Sequence, residues 1–101
     1  MYIYLIKDIK SEVYKIGYSK NVNKRIKQLE TANSGKLLLV DSFKTQHNRK
    51  VETVLHNIYK NKNINGEWFN LSSEDINSFQ NKCSEIENNI NNLKQYNNPF
   101  I

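Results

Sequence analysis

Arg25, Glu52 and His56 are the side chains of this sequence best suited to chemistry on a charged substrate. Glu52 and His56 stand four residues apart, so a helix through them projects both from one face. The apolar residues Val51, Leu55 and Ile58 run beside them. A carboxylate at the margin of a core-facing helix suits a hard cation: Mg²⁺ takes oxygen ligands, often one or two carboxylates together with phosphate oxygens and water. The same spacing equally serves an ordinary surface pair, and a lone His is more often structural than a ligand. Arg25 lies between Val22 and Ile26 on a first helix, at the boundary of its apolar stripe and able to reach over the strands before it. Those strands carry Tyr4, Tyr14 and Tyr18. Tyrosine is a common strand residue, but strand propensity does not explain the order of tyrosine-bearing strands, Gly17, Arg25 and then a helical Glu52.

The elements that must position these groups follow from the pattern of apolar residues. Tyr2-Ile3-Tyr4-Leu5-Ile6 and Val13-Tyr14-Lys15-Ile16-Gly17-Tyr18, joined by polar Asp8–Glu12, predict an antiparallel hairpin. Gly17 near the end of the second run marks a bulge or a close approach by another group. Ser19 or Asn21 caps a short helix whose stripe is Val22, Ile26 and Leu29. Lys36–Phe43 reads as a third, more central strand, and Asn48–Lys60 as a second helix with Val51, Val54, Leu55 and Ile58 inward. Asn61–Gly66 is a turn cluster and Glu67–Leu71 a short last strand. Ser72 and Asp75 have the spacing of a capping box, ahead of a stripe of Ile76, Phe79, Cys83, Ile86, Ile90 and Leu93. That stripe fits one long helix of roughly five turns, which either packs on the sheet or pairs with a second copy. The expected fold is therefore α+β, with helices flanking a small, mainly antiparallel sheet.

Composition bounds the rest. The 101 residues make one domain, divided here into a core at 1–71, a C-terminal packing or dimerisation helix at 72–96, and a tail at 97–101. One cysteine, Cys83, excludes an internal disulfide and a cysteine-based zinc site. The apolar start is short and lacks a basic leader, and no apolar run approaches the ~20 residues of a membrane span. The expected setting is intracellular: cytoplasmic, or the host cytoplasm or nucleus for a viral protein. Residues 1–60 hold twelve basic and five acidic side chains, whereas residues 61–101 hold three and five. A basic front half suits a polyanion, since each neutralised phosphate releases counterions, although lysine-rich solvated surfaces are also common. Only two cations are arginine, Arg25 and Arg49, in a chain that otherwise uses lysine. Arg25 thus asks for a reason of its own.

In this order of residues the sequence resembles the GIY-YIG nuclease superfamily. Tyr2-Ile3-Tyr4 stands where that family has its Gly-Ile-Tyr strand, Lys15-Ile16-Gly17 where it has Tyr-Ile-Gly, Arg25 at the helical arginine and Glu52 at the metal-binding glutamate. It is most similar to a small branch common in phages and large DNA viruses. Those members share the Lys-Ile-Gly strand, a Glu-x-x-x-His helix (Glu52 to His56) and a Gly-Glu-Trp-Phe segment (Gly66 to Phe69). The likeness covers residues 1–71. Two positions depart from the pattern: Tyr2 replaces the first glycine, and Lys15 replaces a tyrosine that many members keep near the nucleophilic water.

The resemblance implies a metal-dependent endonuclease that hydrolyses phosphodiester bonds, of DNA more than RNA, with modest sequence specificity. Glu52 would hold Mg²⁺ or Mn²⁺. Arg25 would offer a planar fork to the phosphate oxygens. Tyr4, or Tyr18, would orient or deprotonate the attacking water, which for a phenol of pKa near ~10 requires a perturbed environment. Lys15 would supply charge, and His56 a hydrogen bond or a proton relay. Lys15, Lys20, Lys24 and Arg25 would contact the nucleic-acid backbone. Trp68 and Phe69 belong to the core, Gly66 to the turn, and Asn70 to the site's edge. Lys15 also keeps a second reading open, a weak or catalytically silent nucleic-acid-binding module on the same fold.

Overall fold

A computed structural model of the chain describes residues 1–33 and 35–95; the expected tail at 97–101 lies outside them, as does residue 96. The apolar runs at the start form β1 (Tyr2–Asp8) and β2 (Val13–Ser19), paired antiparallel with Tyr4 opposite Gly17 and Leu5 opposite Ile16. Their connection closes on an Asp side chain: Asp8 Oδ1 accepts the backbone N–H of Lys10 at 3.0 Å and of Ser11 at 3.3 Å. That is the local bonding for which aspartate is favoured in turns. The hairpin is as the alternation predicts.

Three further strands complete one five-stranded sheet. β3 (Leu37–Lys44) pairs antiparallel with β1, with a register shift between Leu5 and Ile6. β4 (Asn63–Asn65) and β5 (Trp68–Phe69) make a second small hairpin around Gly66, whose φ of 55° is one that glycine adopts without penalty. The strand order is β3-β1-β2-β5-β4. Two expectations are corrected. β3 is an edge strand, not a central one, and its Leu38 and Leu39 are exposed. The segment 61–66 is not all turn, because Asn63–Asn65 is a strand. The strand buried on both faces is β1, where Ile3, Tyr4, Leu5 and Ile6 are each at most 1% exposed.

Helices cover both faces of this sheet. α1 (Val22–Asn33) starts where Asn21 Oδ1 accepts the Lys24 N–H at 3.1 Å, an N-cap satisfying one of the donors a helix start leaves free. Its Val22, Ile26 and Leu29 pack on Tyr4, Ile6 and Leu37. The opposite face carries α2 (Asn48–Ile58) and α4 (Phe79–Gln95), which enclose Ile3, Leu5, Ile16, Val51, Leu55, Tyr59, Phe69, Phe79, Cys83, Ile86 and Ile90. Each fully buried side chain of this kind stabilises the fold by about 1.5–3 kcal/mol. The inward stripe of α2 is Val51, Leu55 and then Tyr59; Val54 and Ile58, expected inward, are exposed.

The expected single C-terminal helix is two. α3 (Ser73–Asn77) begins at a complete capping box, in which Ser72 Oγ accepts the Asp75 N–H and Asp75 Oδ2 accepts the Ser72 N–H. Ser78 interrupts the path, its hydroxyl donating to the Asp75 carbonyl at 3.2 Å, the local side-chain bonding by which serine competes with a helix. α4 then lies on its own sheet, with Phe79, Cys83, Ile86 and Ile90 buried and Leu93 exposed. Polar ties fix it there. Glu87 Oε1 accepts from the Thr45 hydroxyl and from the Gln46 N–H, and the His47 ring Nε2 donates to Asn91 Oδ1 at 2.8 Å. Among the described residues, no helix is long and apolar enough to cross a membrane.

Candidate active site

A gap in the sheet creates the site. β5 has two residues and pairs with β2 only at Tyr14 and Lys15, so beyond Lys15 that side of β2 has no strand partner among the described residues. The peptide groups of Ile16 are taken instead by two other elements. Its N–H donates to the Glu67 carbonyl at 3.1 Å, and its carbonyl accepts a hydrogen bond from His56 Nε2 at 3.0 Å. One strand residue thereby fixes both the turn that carries Glu67 and the helix that carries Glu52 and His56. The His56 ring also rests on Phe69, with centroids 5.0 Å apart.

Gly17 makes the floor. A side chain there is excluded, because a Cβ would lie 2.6 Å from Tyr4 Cζ, closer still to the Tyr4 hydroxyl, and 2.9 Å from Glu67 Oε1. Glycine lets the Tyr4 ring and the Glu67 carboxylate approach the strand, so the close approach expected at Gly17 is present. Tyr4, Tyr18, Arg25, Glu52 and Glu67 together line a polar cleft of about 240 Å³. Arg25 comes from α1 on one face of the sheet and Glu52 from α2 on the other. A larger hollow of about 500 Å³, between α2 and α4, is lined largely by Thr53, Val54, Ile86, Ile90 and Leu93 and has little polar surface. Arg49, Lys50 and Asn89 also border it, but its lining has no carboxylate and no histidine.

The cleft's electrostatics follow from burial and mutual proximity. Burial pushes the Tyr4 phenol above its ordinary value of 10.0; the nearby Arg25 guanidinium opposes this, while Glu67 and Glu52 add to it. Tyr4 therefore keeps its proton at neutral pH and acts as a donor. That suits it to orienting the attacking water, one of the two roles expected of it. Burial also raises the Glu52 carboxyl, helped by the nearby Glu67 carboxylate and opposed by His56 and Lys15.

Of the residues singled out in the sequence, Tyr4, Tyr18, Arg25 and Glu52 converge on the cleft, and His56 lies beside it. Lys15 is held at its margin, with Nζ 3.4 Å from Glu67 Oε1 and 5.5 Å from the centre of the Trp68 ring. Lys20 and Lys24 are exposed and are not among the residues lining the cleft; Lys20 borders a separate depression with Tyr2, Asn21, Asn23 and Ser42. Phe69 is core, as expected. Asn70 is exposed, and its N–H donates to the Lys62 carbonyl. Glu67 is the member that sequence reasoning passed over. Its signal was present in the Gly66-Glu67-Trp68-Phe69 segment, where an acid precedes two aromatic core residues, but its pairing with Lys15 depends on a register that sequence does not display.

The architecture defines a class: a small α+β domain with a polar cleft where helices from both sheet faces meet a tyrosine-bearing hairpin. Residues 1–84 match the T5orf172 domain, and the chain belongs to that family. It is 30% identical over 80 residues to "Uncharacterized protein 460R" of Invertebrate iridescent virus 6, an alignment that covers 77% of this chain and 35% of the viral protein. The chain thus spans about a third of that relative's length. No solved structure matches it.

Proposed function

We propose that this domain is a metal-dependent phosphodiesterase of the GIY-YIG type, cutting nucleic acid, with DNA the preferred substrate. The observation that carries the reading is the meeting of Arg25 and Glu52, from helices on opposite faces, with Tyr4 and Tyr18 in one small cleft. In hydrolysis a water oxygen attacks phosphorus, the bond to the leaving oxygen breaks, and that oxygen takes up a proton. Arg25 presents a planar donor pair to the non-bridging oxygens as charge develops on them. Tyr4, protonated and held rigid by burial, donates a hydrogen bond that orients the water or a phosphate oxygen. Tyr18 borders the same space. The residues suit a divalent cation: two carboxylates face each other in a partly buried cleft, and a cation at Glu52 relieves the burial and repulsion that raise its carboxyl. When bound, such an ion polarises the scissile phosphate and stabilises the leaving oxygen. Lys15 and the basic front half add phosphate contacts that position a strand without reading its sequence.

The test is cleavage of supercoiled plasmid with Mg²⁺ or Mn²⁺, alongside duplex, flap, single-stranded and RNA substrates. Glu52→Ala abolishes cleavage and Arg25→Ala lowers its rate by about 10²–10³-fold, the range for loss of one transition-state donor. Full activity in Glu52→Ala overturns the reading. A second reading, a silent binding module, is favoured by one observation: Lys15 stands where related enzymes carry a tyrosine, and its ammonium is engaged by Glu67. Salt-dependent binding without strand scission under either metal selects it.

A further inference from the structure

We propose that Glu52, His56 and Glu67 form one three-donor metal site whose histidine nitrogen selects a transition ion such as Mn²⁺ over Mg²⁺. This deepens the reading above, resting on Glu52 as a metal ligand but not on cleavage. One carboxylate oxygen of each glutamate and one ring nitrogen of His56 lie within 4.8 Å of one another. Donors about 2.1 Å from a common octahedral ion stand ~3.0 Å apart when cis and ~4.2 Å when trans, and at least two of the three pairs must be cis. The three therefore close by up to about 2 Å, which rotation about the glutamate side-chain torsions supplies.

The hydrogen bond of His56 leaves one ring nitrogen free to coordinate. A carbonyl has no proton to give, so His56 Nε2 must donate to Ile16 O in their 3.0 Å contact. In the neutral ring that leaves Nδ1 with the lone pair. Metal-binding histidines characteristically give their other N–H to a backbone carbonyl or carboxylate, which fixes the ring and raises its basicity. Ile16 also holds the Glu67 backbone through its N–H, so one peptide unit presets two of the three donors. Glu52, one helical turn before His56, supplies the third.

The donor set decides the ion. Mg²⁺ demands oxygen and water in a near-ideal octahedral shell and dehydrates reluctantly, whereas Mn²⁺, the first of the divalent transition series, is bound by mixed nitrogen and oxygen donors. Lys15 has a part as well. Its ammonium is 3.4 Å from Glu67 Oε1 and competes with a metal for that carboxylate.

Isothermal titration of the full chain with Mn²⁺ and with Mg²⁺, without nucleic acid, tests the proposal, with circular dichroism to show that each variant folds. Mn²⁺ binds at least tenfold tighter than Mg²⁺. Glu67→Gln weakens Mn²⁺ binding by tenfold or more, and His56→Asn removes most of the preference for Mn²⁺. Lys15→Gln, which leaves all three donors in place, tightens Mn²⁺ binding severalfold. A merely structural Glu67–Lys15 pair does not produce that gain. Equal affinity for the two ions, or Mn²⁺ binding indifferent to Glu67→Gln, overturns the three-donor site while leaving Glu52-dependent cleavage to stand on its own. Three-donor Mn²⁺ binding in a chain that cuts no nucleic acid overturns the hydrolase and keeps the site.

Discussion

Gly17→Ala is the smallest substitution that separates the cleft from the fold beneath it. The backbone at Gly17 is not in the left-handed region, so alanine brings no conformational strain and the whole effect is steric. The new Cβ would sit 2.6 Å from Tyr4 Cζ, roughly 1 Å inside the ~3.5–4.0 Å at which carbon atoms pack best. Tyr4 is 1% exposed and held between α1 and the sheet, so its ring shifts only at the expense of packed neighbours. Overpacking of this kind costs about 1–3 kcal/mol, equivalent to a fall in Tm of roughly 5–20 °C for a domain of this size. The activity loss is larger than the stability loss. A displacement of about 1 Å in a positioned group lowers the rate by ~10²-fold, and here both Tyr4 and Glu67 must move. Gly66→Ala is the contrast: at φ 55°, with no atom within 4 Å of the new methyl, it costs about 1–2 kcal/mol through backbone conformation alone. Thermal melts, with cleavage measured well below each Tm, give both quantities. Adding Tyr4→Phe removes the worst contact, so the double variant melts above the sum of its single losses. Wild-type melting and wild-type cleavage in Gly17→Ala would refute the packing argument.

Two further outcomes follow from the same forces. Glu52→Gln abolishes cleavage yet raises Tm at neutral pH in the absence of metal, because it removes a partly buried charge facing Glu67; parallel melts and plasmid assays check this. Asp75 is nudged upward by burial, but hydrogen bonds from Lys62 and Ser72 outweigh this and hold its carboxyl below the ordinary 3.8. A depressed carboxyl contributes stability that is present above its unfolded pKa and lost as pH falls through the folded one. Acid melts below pH ~4 are therefore steeper in the wild type than in Asp75→Asn, whose amide oxygen can still accept the Ser72 N–H of the capping box.

What the sequence displayed, and what it hid, divides by the range of the interactions. The hairpin, a cap at Ser19 or Asn21 that the structure puts at Asn21, the capping box at Ser72, the stripe of α1 and that of α4 up to Ile90 are local patterns, and each was legible. The rank of β3 was not. A run of Leu37-Leu38-Leu39-Val40 reads as a strand buried on both faces, yet strand order is decided by pairing partners far along the chain, and this one lies at the rim. In α2 the inward stripe is set by Phe69 and the sheet, which select Tyr59 at an i+4 step and leave Ile58 outside. The break at Ser78 carries neither proline nor glycine, so periodicity ran through it. Within the cleft, the glycine, arginine and glutamate could be seen because each is unusual for its local surroundings. Glu67 could not, since its meaning comes from Ile16 and Lys15 across a two-residue strand pairing.

Cys83 gives this small protein a built-in reporter. It is the chain's single thiol, fully enclosed on the sheet-facing side of α4, with burial pushing its pKa up to about 12. A disulfide reagent such as dithiobis-nitrobenzoate reacts with the thiolate, so the folded molecule is inert to it and every labelled molecule has first opened. The labelling rate, read against reagent concentration, times the lifting of the last helix from the sheet without any engineered probe.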